Sequence, residues 1–248
     1  MESLSVVIIT FNEEKNIGRC IDSLIDLAQE ILVVDSYSTD RTIEICESNG
    51  VKVIQNKFEG HIQQKNFALE QAQNNWVLSL DADEALSDEL KQSILHTLKN
   101  PTQMGYRFNR LTNYCGKWVR FCGWYPDSKL RLVNRNFAKW GGVNPHDKLN
   151  LEAGLIEGFL YGDLLHYSYY TKEDHFNQIE YFGQIAAQEA YNKGIRVNQV
   201  TLLLKVIIQF IKSYFVKLGF LDGLTGFIIS YRSAYATLRK YQLLRQIK

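Results

Sequence analysis

Three runs of acidic and hydroxyl residues each follow a short aliphatic stretch. Leu4–Ile9 (LSVVII) leads into Thr10-Phe11-Asn12-Glu13-Glu14, Ile31–Val34 into Asp35-Ser36-Tyr37-Ser38-Thr39-Asp40, and Trp76–Leu80 into Asp81-Ala82-Asp83-Glu84. In extended backbone, residues i and i+2 point the same way, so Asp81 and Asp83 would turn both carboxylates to one spot. Two carboxylates at one spot suit a hard divalent cation, Mg²⁺ or Mn²⁺, which takes one or two protein carboxylates plus water and phosphate oxygens. Such a cation would neutralise a diphosphate that the acids alone would repel. A solvated or helix-capping acid pair is the alternative. Neither GxGxxG nor GxxxxGK[ST] occurs, so no glycine cradle of those kinds is available for phosphates. Arg131, within KLRLV, can grip a phosphate bidentately or merely bridge a sheet.

The elements that must position these groups alternate between two periods. After the first aliphatic run, Ile17, Cys20, Ile21, Leu24, Ile25 and Leu27 recur at helical spacing and predict a helix over Lys15–Ala28. The pattern then predicts strand Ile31–Val34, helix Asp40–Ser48, strand Val51–Ile54, helix His61–Gln73, strand Trp76–Leu80 and helix Ser87–Leu98. Asp40 and Ser87 are good N-cap types at two of these starts. Such alternation gives a mostly parallel, doubly wound α/β sheet whose ligand lies beyond the carboxyl ends of its strands. The three polar runs sit at those ends. Past Pro101 the pattern turns irregular, with strand candidates Tyr106–Leu111 and Lys129–Val133. A helix follows at Thr171–Tyr191, then two amphipathic helices at Val200–Leu218 and Gly223–Leu244.

The ordered set VVIITFNEE, LVVDSYSTDRT, GHIQQKNFALEQA and LSLDADE resembles the GT-A domain of glycosyltransferase family 2. The later GWYPDSKLRLVNR, GGVNPHDKL and LLHYSY are similar to its branch containing lipopolysaccharide core β-1,4-glucosyltransferases. The resemblance spans residues 3–190 and, more loosely, the tail. It implies inverting transfer from a nucleotide-diphosphate sugar, usually UDP-linked, with a divalent metal. Thr10, Phe11 and Glu13 match the segment that contacts base and ribose, and Asp35 the acid that hydrogen-bonds the nucleoside; Asp35 is also suited to a turn. Lys65 matches a basic position near the nucleotide, where a solvated helix lysine is the other reading. Asp81 would stand near ribose and metal, with Asp83 as the direct metal ligand. Asp147, in Asn144-Pro145-His146-Asp147, matches the general base, although the family usually carries Glu there. His146 would orient it, or serve only structure, and Asp127 is the next candidate acid. His166 matches a histidine that approaches the metal or diphosphate, with a core or loop role as the alternative. Trp124 and Tyr125 form either a sugar-stacking wall or plain packing.

The chain of 248 residues has a formal charge of +1, and nothing in that balance points to nucleic acid. From Lys193 to Lys248, however, ten Lys or Arg stand against one acid, Asp222, leaving 18 basic and 26 acidic residues before them. We therefore read residues 1–192 as the transferase domain and 193–248 as a basic helical extension. Lysines interrupt its apolar runs, so a transmembrane helix is not expected, and the wide apolar face suits an interfacial helix on an anionic leaflet. Packing against the transferase domain or a homodimer partner is the alternative. Cys20, Cys46, Cys115 and Cys122 lack CxxC or disulfide-framework spacing, and residues 1–14 read as a strand rather than a signal peptide. The expected location is the cytoplasm, peripheral on the inner face of the membrane. The expected acceptor is a glycan or lipid-linked glycan, with polyprenyl phosphate or an inactive scaffold as rivals.

Overall fold

The computed structural model describes residues 2–144 and 146–247, so Met1, Lys248 and Pro145 of the Asn144–Asp147 motif lie outside the described residues. The chain forms two compact units. The first comprises residues 1–110 and 127–166, and the second 111–126 and 167–248. The helix predicted over Thr171–Tyr191 thus belongs to the second unit.

In chain order the elements begin β1 (Leu4–Thr10), α1 (Ile17–Asp22), β2 (Glu30–Asp35), α2 (Thr42–Ser48), β3 (Lys52–Gln55), α3 (His61–Gln71), β4 (Trp76–Asp81), β5 (Glu84–Leu86) and α4 (Asp88–Thr97). There follow β6 (Gly105–Tyr114), β7 (Lys117–Trp118), β8 (Asp127–Asn134), β9 (Ala138–Val143), β10 (His146–Leu151) and β11 (Gly158–Tyr169). The main sheet runs β3-β2-β1-β4-β8-β6-β11-β5, and β9 and β10 form a separate hairpin. β1 pairs in parallel with both β2 and β4, whereas β8 runs antiparallel to β4 and β6. The alternating α/β reading therefore holds for the first hundred residues.

The uninterrupted aliphatic character of β1 has a simple cause: both faces of the strand are covered. Leu4, Val6 and Ile8 pack with Ile17, Cys20, Ile21, Leu90 and Ile94, while Val7 packs with Leu32, Val34, Ala68, Leu69, Trp140 and Leu149. Three local expectations change and one holds. The helix at Lys15–Ala28 shortens to Ile17–Asp22, and the chain turns through Asp26, whose φ is 63°. Asp40 precedes the N-cap residue Arg41, yet its Oδ1 accepts the Thr42 N–H at 3.0 Å and so satisfies a first-turn donor. Ser87 does cap α4, accepting from Leu90 N at 3.3 Å. Asp81-Ala82-Asp83 is not extended: β4 ends at Asp81 and a turn follows, with the Asp81 N–H donated to Glu84 Oε2 at 3.0 Å. The alternation invoked for the two carboxylates does not operate across a turn.

The second unit is largely helical: α5 (Lys172–Asn192), α6 (Gln199–Ile211) and α7 (Gly223–Gln246). α5 opens with a capping box in which Thr171 and Asp174 satisfy each other's backbone donors. Tyr114, Trp124, Tyr169 and His175 form an aromatic cluster, with His175 Nδ1 3.4 Å from Tyr114 Oη. Trp124 therefore packs, as its second reading held, and the Arg120 guanidinium lies over Tyr125 at 5.4 Å. Burial pushes His175 down to about 4, with Arg232 adding to the effect. α6 is turned inside out: Leu202 is buried and Val206 and Phe210 half-buried, but Val200, Leu203, Leu204, Ile207, Ile208 and Ile211 are exposed. Contrary to expectation, one helical stretch, residues 199–216, is long and apolar enough to cross a membrane, although Lys205 and Lys212 lie within it.

Candidate active site

The exits of β1 and β2 are laced together. Asp35 is fully buried beside Thr10, and its carboxylate accepts the Ser38 N–H at 2.9 Å and the Ser38 hydroxyl. Asn12, at φ 54°, accepts the Thr39 N–H through Oδ1 at 2.8 Å and gives its own N–H to Ser38 Oγ. These bonds turn both strand ends into a rigid polar notch. Phe11 and Tyr37 remain 55% exposed at its two sides, so two aromatic surfaces stand free at adjacent exits. Glu13 accepts from Asn16 Nδ2 at 2.7 Å. Its carboxyl lies above the ordinary value through burial and the negative charges of Asp83, Asp40 and Asp81, which outweigh that bond.

A buried ion network follows at the end of β4. Lys65, on α3 and only 4% exposed, stands 3.0 Å from Asp81 Oδ1 and 2.9 Å from Asp147 Oδ2. Arg131, on β8 and 3% exposed, places Nη2 3.0 Å from both Asp81 Oδ2 and Glu84 Oε1. The Trp140 ring lies under both cations, 4.5 Å from Lys65 Nζ and 5.3 Å from the Arg131 guanidinium. Burial alone would raise the Asp81 carboxyl, but Lys65 and Arg131 hold it well below the usual carboxylate range. Burial likewise disfavours the Arg131 charge, yet Glu84 and Asp81 keep that guanidinium protonated. Removing one member of such a network strands an opposite charge out of water, which typically costs about 3–5 kcal/mol.

The hairpin carrying Asp147 is anchored to the start of α3. Asn144 Oδ1 accepts the Ile62 N–H at 3.0 Å, and Asn144 Nδ2 donates to Gln63 Oε1 at 3.0 Å. Gly60, at φ 138°, permits this approach, because a Cβ there would collide with the Asn144 amide. Trp140 N donates to Asn66 Oδ1 and Asn66 Nδ2 to Trp140 O, fixing the other end of the hairpin. His146 is exposed, and both it and Asp147 line a cavity of about 510 Å³ with Lys65, Asp81 and Arg131.

Asp83 leaves this network for another partner. The pairing of β11 with β5 sets His166 opposite Glu84 and brings its Nε2 to 3.0 Å from Asp83 Oδ2. A divalent cation would find a carboxylate and an imidazole adjacent here, in a setting whose acids already repel Glu13; that donor set fits a Mg²⁺ or Mn²⁺ ion completed by substrate oxygens. Asp81 does not fit as a direct ligand, since both its oxygens meet cations. Among the described residues no group of three or more His, Cys, Asp or Glu is poised around one point.

The sequence-selected residues thus fall into three groups: Thr10, Phe11, Glu13 and Asp35 at the first two strand exits, Asp83 with His166, and Lys65, Asp81, Arg131, His146 and Asp147 around the cavity. Glu84 and Trp140 were missed. Glu84 could have been picked out as the third acid of the Asp81–Glu84 run, needing a buried cation, whereas nothing local marks Trp140 as the floor beneath two charges. Asp127, the reserve acid, is held by Arg110 at 2.8 Å and Lys129 at 2.9 Å.

Residues 5–121 match the model of Glycosyl transferase family 2. The chain is 31% identical to an uncharacterized glycosyltransferase of Rickettsia typhi, over 100% of this chain and 88% of that protein. It is 26% identical to the lipopolysaccharide core biosynthesis glycosyltransferase LpsC of Rhizobium meliloti, over 97% and 93%. A crystal structure of S. aureus TarS 1-349 in complex with UDP aligns with a TM-score of 0.48 at 16% identity, over 99% of this chain and 92% of that one.

Proposed function

The chain belongs to glycosyltransferase family 2 and has its GT-A fold, and from that premise we propose an inverting transferase that moves a hexose from UDP to a membrane-linked glycan. The observation that carries this reading is Asp147, a half-buried carboxylate pinned by Lys65 on the wall of a cavity, beside the acid that ends β4. Asp147 Oδ accepts the proton of the acceptor hydroxyl as that oxygen attacks the anomeric carbon, and the sugar–diphosphate bond breaks. Lys65, 2.9 Å away, orients Asp147 before the acceptor arrives. The notch at Thr10, Phe11, Glu13 and Asp35 takes the nucleoside, with Phe11 offering a ring to the base. Asp83 and His166 would hold the divalent cation, which supplies charge neutralisation for the departing diphosphate.

The exposed face of α6 supports attachment to a lipid surface. Six large aliphatic side chains face outward, with Lys205 and Lys212 exposed among them and Lys217 just beyond. Burying such a face in the boundary of an anionic leaflet satisfies both the oil and the charge, and the two lysines favour lying in the interface over crossing it. On this reading the enzyme works at the cytoplasmic side of the membrane, in assembly of a lipopolysaccharide core or related envelope glycan. The test is a screen of nucleotide sugars for Mn²⁺-dependent thermal stabilisation, followed by transfer to core oligosaccharide and to polyprenyl phosphate. Stabilisation by UDP-hexose and transfer to the oligosaccharide is the expected outcome. Transfer to the lipid phosphate alone would replace the acceptor, and stabilisation by no nucleotide sugar would end the reading.

A further inference from the structure

Resting on the transferase reading above, we propose that the cavity beside Asp147 binds an anionic group, phosphate or carboxylate, carried by the acceptor. Six cationic side chains line it, Lys65, Arg107, Arg110, Lys129, Arg131 and Lys148, against two acids, Asp81 and Asp147. Adding the acids that pair with them from outside the lining, Glu84, Asp127 and Glu157, still leaves the cations in excess.

An independent observation comes from hydrogen bonding. Among the described residues, Arg131 Nε and Nη1, Trp140 Nε1 and Ser128 Oγ are out of water and have no partner, and all three residues line this cavity. Buried donors are normally satisfied, and each one left unmade costs about 1–3 kcal/mol. A cavity floored by orphaned donors and edged by cations lacks an acceptor-rich anion. A guanidinium fork meets phosphate or carboxylate oxygens in pairs.

The backbone prepares this arrangement. In the β6–β8 ladder Tyr106 faces Leu132 and Arg107 faces Leu130, so the register slips and Arg131 is left without an opposite number. Leu132 packs in one core and Leu130 in the other, with Trp140. The slip therefore places Leu130, and Arg107 opposite it, on the same face as Arg131. Irregularities of this kind re-aim side chains and recur beside active sites.

The cavity's position separates it from the nucleoside notch. Thr10, Phe11, Glu13 and Asp35 belong to the exits of β1 and β2 and line none of it, while β8 and β6 lie beyond β4 on the other side of β1. With strands about 4.8 Å apart, β6 stands roughly 14 Å from β1, too far for one phosphate to serve both. Asp147, which must meet the acceptor hydroxyl, lines the cavity itself.

The experiment titrates the full chain, saturated with UDP and Mg²⁺, with inorganic phosphate in one arm and acetate in the other. One anion should bind in the presence of UDP, and the better of the two identifies the group. Arg110→Gln with Lys129→Gln should weaken that binding at least tenfold while UDP affinity changes less than twofold; Arg107→Gln, on a half-exposed side chain, is the second variant should the pair fail to fold. Phosphate that binds only when UDP is absent would assign the cavity to the donor diphosphate and overturn the proposal, as would absence of binding by both anions. Failure of UDP itself to bind would instead remove the transferase reading, a result the first titration step registers separately.

Discussion

The two units use charge and oil in opposite ways. The first gathers five charged groups, with Lys65, Glu84 and Arg131 buried and Asp81 and Asp147 half-buried, at the end of a strand whose neighbours are aliphatic. The second exposes Val200, Leu203, Leu204, Ile207, Ile208 and Ile211 on a helix whose packed stripe is the less apolar one. Neither arrangement favours stability. Buried ion networks rarely outperform a hydrophobic replacement, and large exposed apolar patches invite association. On the function proposed above, each departure serves a ligand: an anionic substrate in one unit, a lipid surface in the other.

The largest effect belongs to the first unit. Asp147→Asn keeps the shape of the side chain but removes the base, so transfer should fall by roughly 100- to 10,000-fold. UDP binding, measured by calorimetry, should persist in the same variant. Near-normal turnover would break the contrast by making the buried charges merely structural. The second unit gives the next effect. Replacing Lys205, Lys212 and Lys217 with Gln removes three near-surface charges at about 1 kcal/mol each, a loss of roughly 100-fold in binding to vesicles rich in anionic lipid. Wild-type binding should weaken as salt rises, and transfer to a soluble acceptor fragment should survive the substitutions. Vesicle binding at no salt concentration would mean that another surface covers the apolar face.

A smaller effect comes from the interior of the second unit. His175 has a folded value of about 4 against an ordinary 6.5, so the unfolded chain binds more protons between those limits. Stability is unaffected above pH 6.5 and is lost as pH falls toward 4, by a total on the order of 3 kcal/mol. Thermal melts followed through the second unit's aromatic signal should show this slope, and His175→Gln should flatten it. An unchanged slope would mean that acid sensitivity arises elsewhere.

Most of the first unit was legible in the sequence, because parallel strands covered on both faces leave continuous aliphatic runs and their exits carry polar residues. Asp83, Asp147, Lys65 and Arg131 could be selected in that way or by resemblance. Their partners could not. Lys65 meets Asp147 across 82 positions, a pairing set by the Asn144 anchor on α3, and Arg131 is placed by a register slip that no local pattern announces. The Asp-Ala-Asp run misled because extended geometry was assumed where Glu84 closes a turn. In the second unit periodicity identified the helices, but it could not tell which apolar face of α6 would be packed.

The claim on which the rest depends is that the acidic strand exits form a metal-assisted nucleotide-diphosphate site. Titration of UDP with and without Mn²⁺, on the wild-type chain and on Asp83→Ala, tests it most directly. Mn²⁺ should tighten UDP binding to the wild type by roughly tenfold or more, a scale at which even outer-shell partners of metal ligands act. Asp83→Ala should remain folded by circular dichroism and lose that dependence. Equal tightening by Mn²⁺ in the variant would contradict the account.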